Sequence, residues 1–229
     1  MKHKTILRGV AILAGFAGFL ILSTTLYPIL SYESSSRQKY PKLISPVAGV
    51  SDVGPTIEAT DFTRASNWFV GGAERRDFSS SAVSHYTLSI PELGIQSASV
   101  AIGGEALADN LVHYPGTGLP GKVGNSVIFG HSILPQFYDP KDYLAIFSTL
   151  PTLEEGDLIK INYDGVAYTY QVESMFEVLP TALQVLDQNA NDSYISLITC
   201  VPPGHPLKPK RLVVRAKIVP PNEIGSVIN

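Results

Sequence analysis

The chain holds a single cysteine, Cys200, among its 229 residues. Without a partner it excludes a disulfide-stapled framework, and it equally excludes a zinc site built from several thiolates. The five histidines (His3, His85, His113, His131 and His205) show no paired ligand spacing that would replace those thiolates. Positive charge is also scarce: 17 Lys and Arg face 20 Asp and Glu, for a net charge of −3. Binding nucleic acid by counterion displacement needs a cationic excess, so nucleic acid is not an expected partner. Charged residues make up only 16% of the chain and mean hydropathy is +0.14, high for a soluble protein. The length leaves room for one domain of about 140 residues plus appendages.

Much of the apolar excess sits at the start. The stretch from Gly9 to Tyr32 carries no charge, and about 20 apolar residues suffice to span a bilayer. Lys2, Lys4 and Arg8 precede it, so residues 1–8 are expected in the cytoplasm, 9–32 in the membrane, and the rest outside. A cleaved signal peptide is the rival reading, but its apolar core would be shorter and end in a small-x-small site. From residue 33 to 84 the composition turns to Ser clusters, Pro, Gly and sparse apolar residues, the pattern of a spacer. Trp68-Phe69-Val70 breaks that pattern as a short apolar segment able to pack on the domain.

Residues 85–219 read as strands. His85–Ile90 alternates, Ser126–Phe129 is a compact apolar run, and Leu158–Tyr163 meets Val166–Val172 across Asp164-Gly165, a strong hairpin signal. Tyr194–Cys200 and Arg211–Val219 add two more. Only Pro140 to Leu150 has helical spacing, through Tyr143, Ile146, Phe147 and Leu150. Short strands with turn-rich loops predict an all-β fold, a small closed barrel or a sandwich. Residues 220–229 form a polar tail after Pro220-Pro221.

Three residue types carry chemistry. Cys200 ends an apolar strand, because Pro202-Pro203-Gly204 forbids its continuation, and so stands facing a loop. It is either a buried small hydrophobe or a nucleophile with a base and an oxyanion donor nearby. His131 follows Val127-Ile128-Phe129-Gly130 at another strand end and is the foremost base candidate, with His113 and His205 as weaker rivals and His85 a packing residue. Arg211, Val213, Arg215 and Lys217 share one face of the last strand, either a solvated basic face or, at Arg211, a stabiliser of developing carbonyl charge.

Together these elements resemble the sortases, membrane-anchored cysteine transpeptidases of bacterial surfaces. Ser196-Leu197-Ile198-Thr199-Cys200 resembles their Thr-Leu-x-Thr-Cys signature, with Ser for the first Thr. Asn125 to His131 resembles their histidine strand, and Arg211-Leu-Val-Val-Arg215 the strand of their catalytic arginine. Ser89–Ile95 and the His113-Tyr-Pro-Gly-Thr117 loop add to the likeness, which covers residues 86–219. The resemblance implies a closed barrel of about eight strands with one or two short helices behind an amino-terminal transmembrane helix. It makes Cys200 the nucleophile, His131 the general acid and base, Arg211 the oxyanion holder and Thr199 a residue shaping the substrate pocket.

The implied reaction cleaves a carboxyl-terminal sorting motif of exported proteins through a thioester and passes the acyl group to an amine of a cell-wall precursor or a pilin lysine. No metal or organic cofactor is implied; Glu105 and Asp109 lie where some members bind calcium, but two carboxylates fall well short of six or more oxygen ligands. Cys-Val-Pro-Pro-Gly after the nucleophile is nearer to pilin-polymerising members. Their second membrane span and their Asp-Pro-aromatic lid are not read in this sequence. Two other functions fit the same residues: an anchored cysteine hydrolase, and a non-catalytic β-domain that binds surface ligands around an inert Cys200.

Overall fold

The computed structural model describes residues 2–40, 61–71 and 85–221. One long helix, α1 (Lys2–Lys39), is followed by eight strands: β1 (His85–Ile90), β2 (Ile95–Ile102), β3 (Leu111–His113), β4 (Gly124–Phe129), β5 (Leu158–Tyr163), β6 (Val166–Val178), β7 (Ser193–Val201) and β8 (Lys210–Ile218). The strands close into a barrel in the order β1-β2-β3-β4-β7-β8-β6-β5. Closure leaves no sheet edge and decides for the barrel over the sandwich. Most of the predicted spacer and of the polar tail lies outside the described residues.

Between Gly9 and Leu22, helix α1 is apolar on all sides: Ile12, Leu13, Phe16, Phe19 and Ile21 all project into open space. A helix apolar all round belongs in a core or a membrane, and α1 is long and apolar enough to cross one. The hydroxyls of Ser23, Thr24 and Thr25 bond to carbonyls one turn back, which satisfies them without water. The helix continues beyond Tyr32 to Lys39. Its last turns are held by the barrel rather than by their own propensity: Tyr32 donates to Glu177 at 2.8 Å, and Lys39 to the carbonyls of Pro151 and Leu153.

The β5–β6 hairpin turns where Asp164-Gly165 predicts, both residues having positive φ (52° and 74°) as a tight primed turn demands. The predicted helix at 140–150 is instead a series of turns ending in a 3-10 turn at Leu150–Thr152. The reason lies in its hydrogen bonds. The Phe147 N–H, which a helix would direct four residues back, donates to the His131 carbonyl at 2.9 Å, and the Ser148 hydroxyl accepts from Ile133 N–H, so the segment braces the loop after β4. The periodic apolar residues still do what their spacing implies, since Ile146, Phe147 and Leu150 are buried.

Two apolar clusters result. One fills the barrel lumen from alternate residues such as Leu88, Val100, Ile128, Leu197, Leu212 and Val214. The other lies on the outer face, where Val127 and Phe129 of β4, Ile198 and Cys200 of β7 and Val213 of β8 meet Ala65, Trp68 and Phe69. Alternation along each strand assigns the cysteine to this outer face.

Candidate active site

Strand β7 lies between β4, to which it runs parallel, and β8, to which it runs antiparallel. Across the second pair Cys200 is directly opposite Arg211. Across the first, Phe129 is opposite Ile198, Gly130 N–H donates to the Ile198 carbonyl at 3.1 Å and Ser132 Oγ donates to the Cys200 carbonyl at 2.6 Å. His131, between these two anchors, is thereby set beside Cys200. The three residues proposed from sequence thus come together on adjacent strand ends, with the cysteine in the middle.

Thr199 faces the other way. Its hydroxyl donates to the Gly130 carbonyl at 2.8 Å and is fully buried, so it braces the turn that carries His131 from behind. Gly130 has a packing role as well, since a Cβ there would come within 2.4 Å of the Phe147 ring and 2.6 Å of Leu111. Ser196 donates to Asn125 at 2.8 Å, tying β7 to β4 further back. The rival histidines are structural: His113 is buried between the Tyr86 hydroxyl (2.8 Å) and the Thr117 hydroxyl (3.0 Å), and His205 Nδ1 accepts from Leu207 N–H. Arg215 stacks over Tyr194.

Of the two readings of the outer β8 face, solvated or functional at Arg211, the solvated one does not hold at Arg211, which is covered. Cys200, His131 and Arg211 are 1%, 3% and 1% exposed. The cover is residues 61–71. Trp68, fully buried, stacks on Phe129 at 5.1 Å and tilts against His131 at 5.8 Å between ring centroids. Arg211 lies over the rings of Phe62 and Trp68 and donates through Nε and Nη2 to the Trp68 carbonyl at 3.2 and 3.0 Å. Its Nη1 donates to the carbonyls of Lys208 and Lys210. A peptide carbonyl of the chain itself therefore occupies the guanidinium.

The covering segment is knotted by local bonds. The Trp68 indole donates to the Phe62 carbonyl, Asn67 to the Asp61 carbonyl, and Thr63 to the Asp61 carboxylate through both its N–H and its hydroxyl. It is pinned to the connection between β2 and β3, where Glu105 takes Arg64 at 2.6 Å and Ser66 at 2.5 Å. Glu105, weighed in the sequence as one of two calcium carboxylates, is thus engaged with the cover. No Asp-Pro-aromatic lid motif is read in the sequence. The available signal was Trp68-Phe69-Val70, the apolar exception in a polar stretch.

Burial governs the electrostatics. The Cys200 thiol is pushed above its usual range by desolvation, only partly countered by the charges of Arg211 and Lys208. The His131 imidazole is lowered to about 4, first by burial and then by the Lys208 charge. Under the cover the pair is therefore a neutral thiol and a neutral imidazole near pH 7. The buried Nε2 of His131 has no hydrogen-bond partner among the described residues. That nitrogen is free to exchange a proton once a partner arrives.

Residues 88–219 match the family model described as Sortase domain. A comparison with curated proteins gives no match. Among solved structures, a lid mutant of sortase A from Corynebacterium diphtheriae is 30% identical with a TM-score of 0.52, over 63% of this chain and 76% of that one. Sortase C1 from Streptococcus suis is 26% identical with a TM-score of 0.51, over 60% and 73%. The Clostridium perfringens sortase D5 transpeptidase, 23% identical with a TM-score of 0.51 over 64% and 93%, shares the fold.

Proposed function

The chain belongs to the sortase family, and from that premise we propose that it is a membrane-anchored cysteine transpeptidase acting at the cell surface, with Cys200 as nucleophile. The thiolate attacks a peptide carbonyl within a carboxyl-terminal sorting motif of an exported protein, and the C–N bond breaks as the departing amine takes a proton from His131. A thioester remains on Cys200. An incoming amine from a cell-wall precursor or a pilin lysine then attacks it, giving its proton to His131, and the C–S bond breaks to restore the thiolate. Two easier acyl transfers replace one difficult amide exchange. Arg211 holds the substrate carbonyl and then the oxyanion; Thr199 shapes the pocket by fixing the Gly130-His131 turn.

One observation carries this reading: Cys200 is flanked in register by Arg211 on β8 and by the His131 strand end on β4. The Trp68 carbonyl on the Arg211 guanidinium supports the role given to Arg211, because it is the same chemical group that the reaction would place there. Residues 61–71 act as a lid that must swing aside, a reading in keeping with the lid named for the Corynebacterium sortase A. Its departure rehydrates the site, so that Cys200 and His131 regain charge together.

The anchored hydrolase differs only in using water to resolve the thioester. Incubating the full chain with peptides bearing carboxyl-terminal sorting motifs and a saturating amine, with mass analysis of both products and protein, separates the readings. Transpeptidation gives the amine-linked product and an acyl adduct on Cys200. Accumulation of the free acid alone would overturn it. A site that never acylates, and a Cys200 that resists alkylation until denatured even in a lid variant, would point to the non-catalytic β-domain.

A further inference from the structure

The contacts of α1 give the barrel an orientation. Pro28 lies inside α1 and lacks the N–H that a helix residue donates four positions back. That would leave the Thr24 carbonyl open, but Gln136 Nε2 donates to it at 3.1 Å. Gln136 belongs to the turn Pro135–Phe137, in the loop that leaves β4 after His131. Further along α1, Lys210 Nζ bridges Glu33 at 3.2 Å and Glu177 at 3.1 Å, and Tyr32 donates to the same Glu177. Further still, Lys39 and Tyr40 line a pocket with Met175.

The sequence of these contacts fixes a direction. Met175 lies back within β6, Glu177 near its end, and Lys210 beside Arg211 at the start of β8. Descending α1 from Tyr40 to Thr24 therefore runs along the barrel towards the end that carries Cys200, His131 and Arg211, and then past it. A bilayer core of about 30 Å takes about 20 helical residues, and counted from Gly9, just after Arg8, these end at Pro28. Thr24 then lies roughly 6 Å inside the outer edge, at ~1.5 Å per residue. A loop that reaches its carbonyl through a Gln side chain sits where the lipid headgroups meet the acyl chains.

Two apolar side chains are presented there. Phe137, next to Gln136, is 63% exposed. Leu207, in the β7–β8 loop, is 58% exposed, and that loop abuts the same turn, since a Cβ on Gly204 would meet Leu134 at 2.5 Å. We propose that the catalytic end of the barrel is seated on a lipid bilayer, with Phe137 and Leu207 in the headgroup region and the Gln136–Thr24 bond fixing the barrel to the span. An apolar tip entering the interface adds a second attachment to that of the helix. A substrate held in the same membrane reaches Cys200 by lateral movement.

The seat rests on α1 spanning the membrane, as proposed above, and the experiment separates the two. In the full chain carrying Cys200→Ala, a single cysteine bearing bimane is placed by Leu13→Cys, Phe137→Cys, Leu207→Cys or Val166→Cys. Each is reconstituted into equimolar phosphatidylcholine and phosphatidylglycerol vesicles with and without brominated acyl chains. Labels at 13, 137 and 207 should each lose about half of their emission to bromine, as expected for groups at or below the headgroups, while the label at 166, beside the distant β5–β6 turn, is unchanged. Quenching at 13 without quenching at 137 and 207 overturns the seat and leaves the span. No quenching at 13 overturns the span and the seat with it. Adding Pro28→Ala, which returns an N–H to the Thr24 carbonyl, should weaken quenching at 207; an unaltered value would show that the Gln136 bond does not fix the barrel.

Discussion

At the scale of single residues, the site depends on a guanidinium whose three nitrogens all donate to backbone carbonyls. An ammonium on a flexible stem cannot reproduce that fork. Arg211→Lys should lower kcat by about 10²–10³-fold, the range for loss of a preorganised oxyanion donor, with far less change in KM. Near-normal turnover would move the role elsewhere. Cys200→Ala should abolish turnover while costing only about 1 kcal/mol of stability by denaturant titration, as for removal of one small buried atom. The strand-end positions of Cys200 and His131 are legible in the sequence from Pro202-Pro203 and Gly130, while the choice of these two residues with Arg211 comes from the resemblance to sortases. The direction of Thr199 followed from alternation, but its partner did not: the Gly130 carbonyl lies on another strand, 69 positions away.

At the scale of elements, residues 61–71 cover the assembled site, and in the proposed function they are its lid. Its hold is divided between a fully buried Trp68 and an ion pair of Arg64 and Glu105 whose side chains are 34% and 15% exposed. The weights differ accordingly. Truncating a buried tryptophan removes ~3–5 kcal/mol, so Trp68→Ala should speed alkylation of Cys200 by about 10²-fold or more. A part-exposed pair is worth ~1 kcal/mol at most, so Glu105→Gln should speed it about fivefold or less. Equal rates in wild type and Trp68→Ala would mean that residues 61–71 do not limit access. The 140–150 segment shows why element type was harder to read than burial. Helical spacing located its apolar residues correctly, yet the His131 carbonyl captured the Phe147 N–H that a helix would use, and turns replace the helix.

At the scale of the whole molecule, acid stability should report the buried imidazoles. Burial holds both His113 and His131 down to about 4, against the usual 6.5. Between those values the unfolded chain binds protons that the folded chain refuses, so stability is complete above about pH 6.5 and declines as pH falls towards 4, by on the order of a few kcal/mol per imidazole. Thermal melts from pH 7.5 to 4 should show that decline, and His131→Gln should make it shallower; an unchanged slope would mean the imidazole does not stay neutral in the fold. The sequence by itself determined the apolar span, the alternating strands and the β5–β6 turn, because these follow from local periodicity and backbone restriction, and its resemblance to sortases singled out His131, Cys200 and Arg211 in that order. Tertiary structure alone decided that residues 61–71 cover the site, that the Trp68 carbonyl occupies Arg211, and that α1 runs down the barrel to the end that carries Cys200, His131 and Arg211. Each of those depends on contacts between residues far apart in the chain, whose pairing no local pattern encodes.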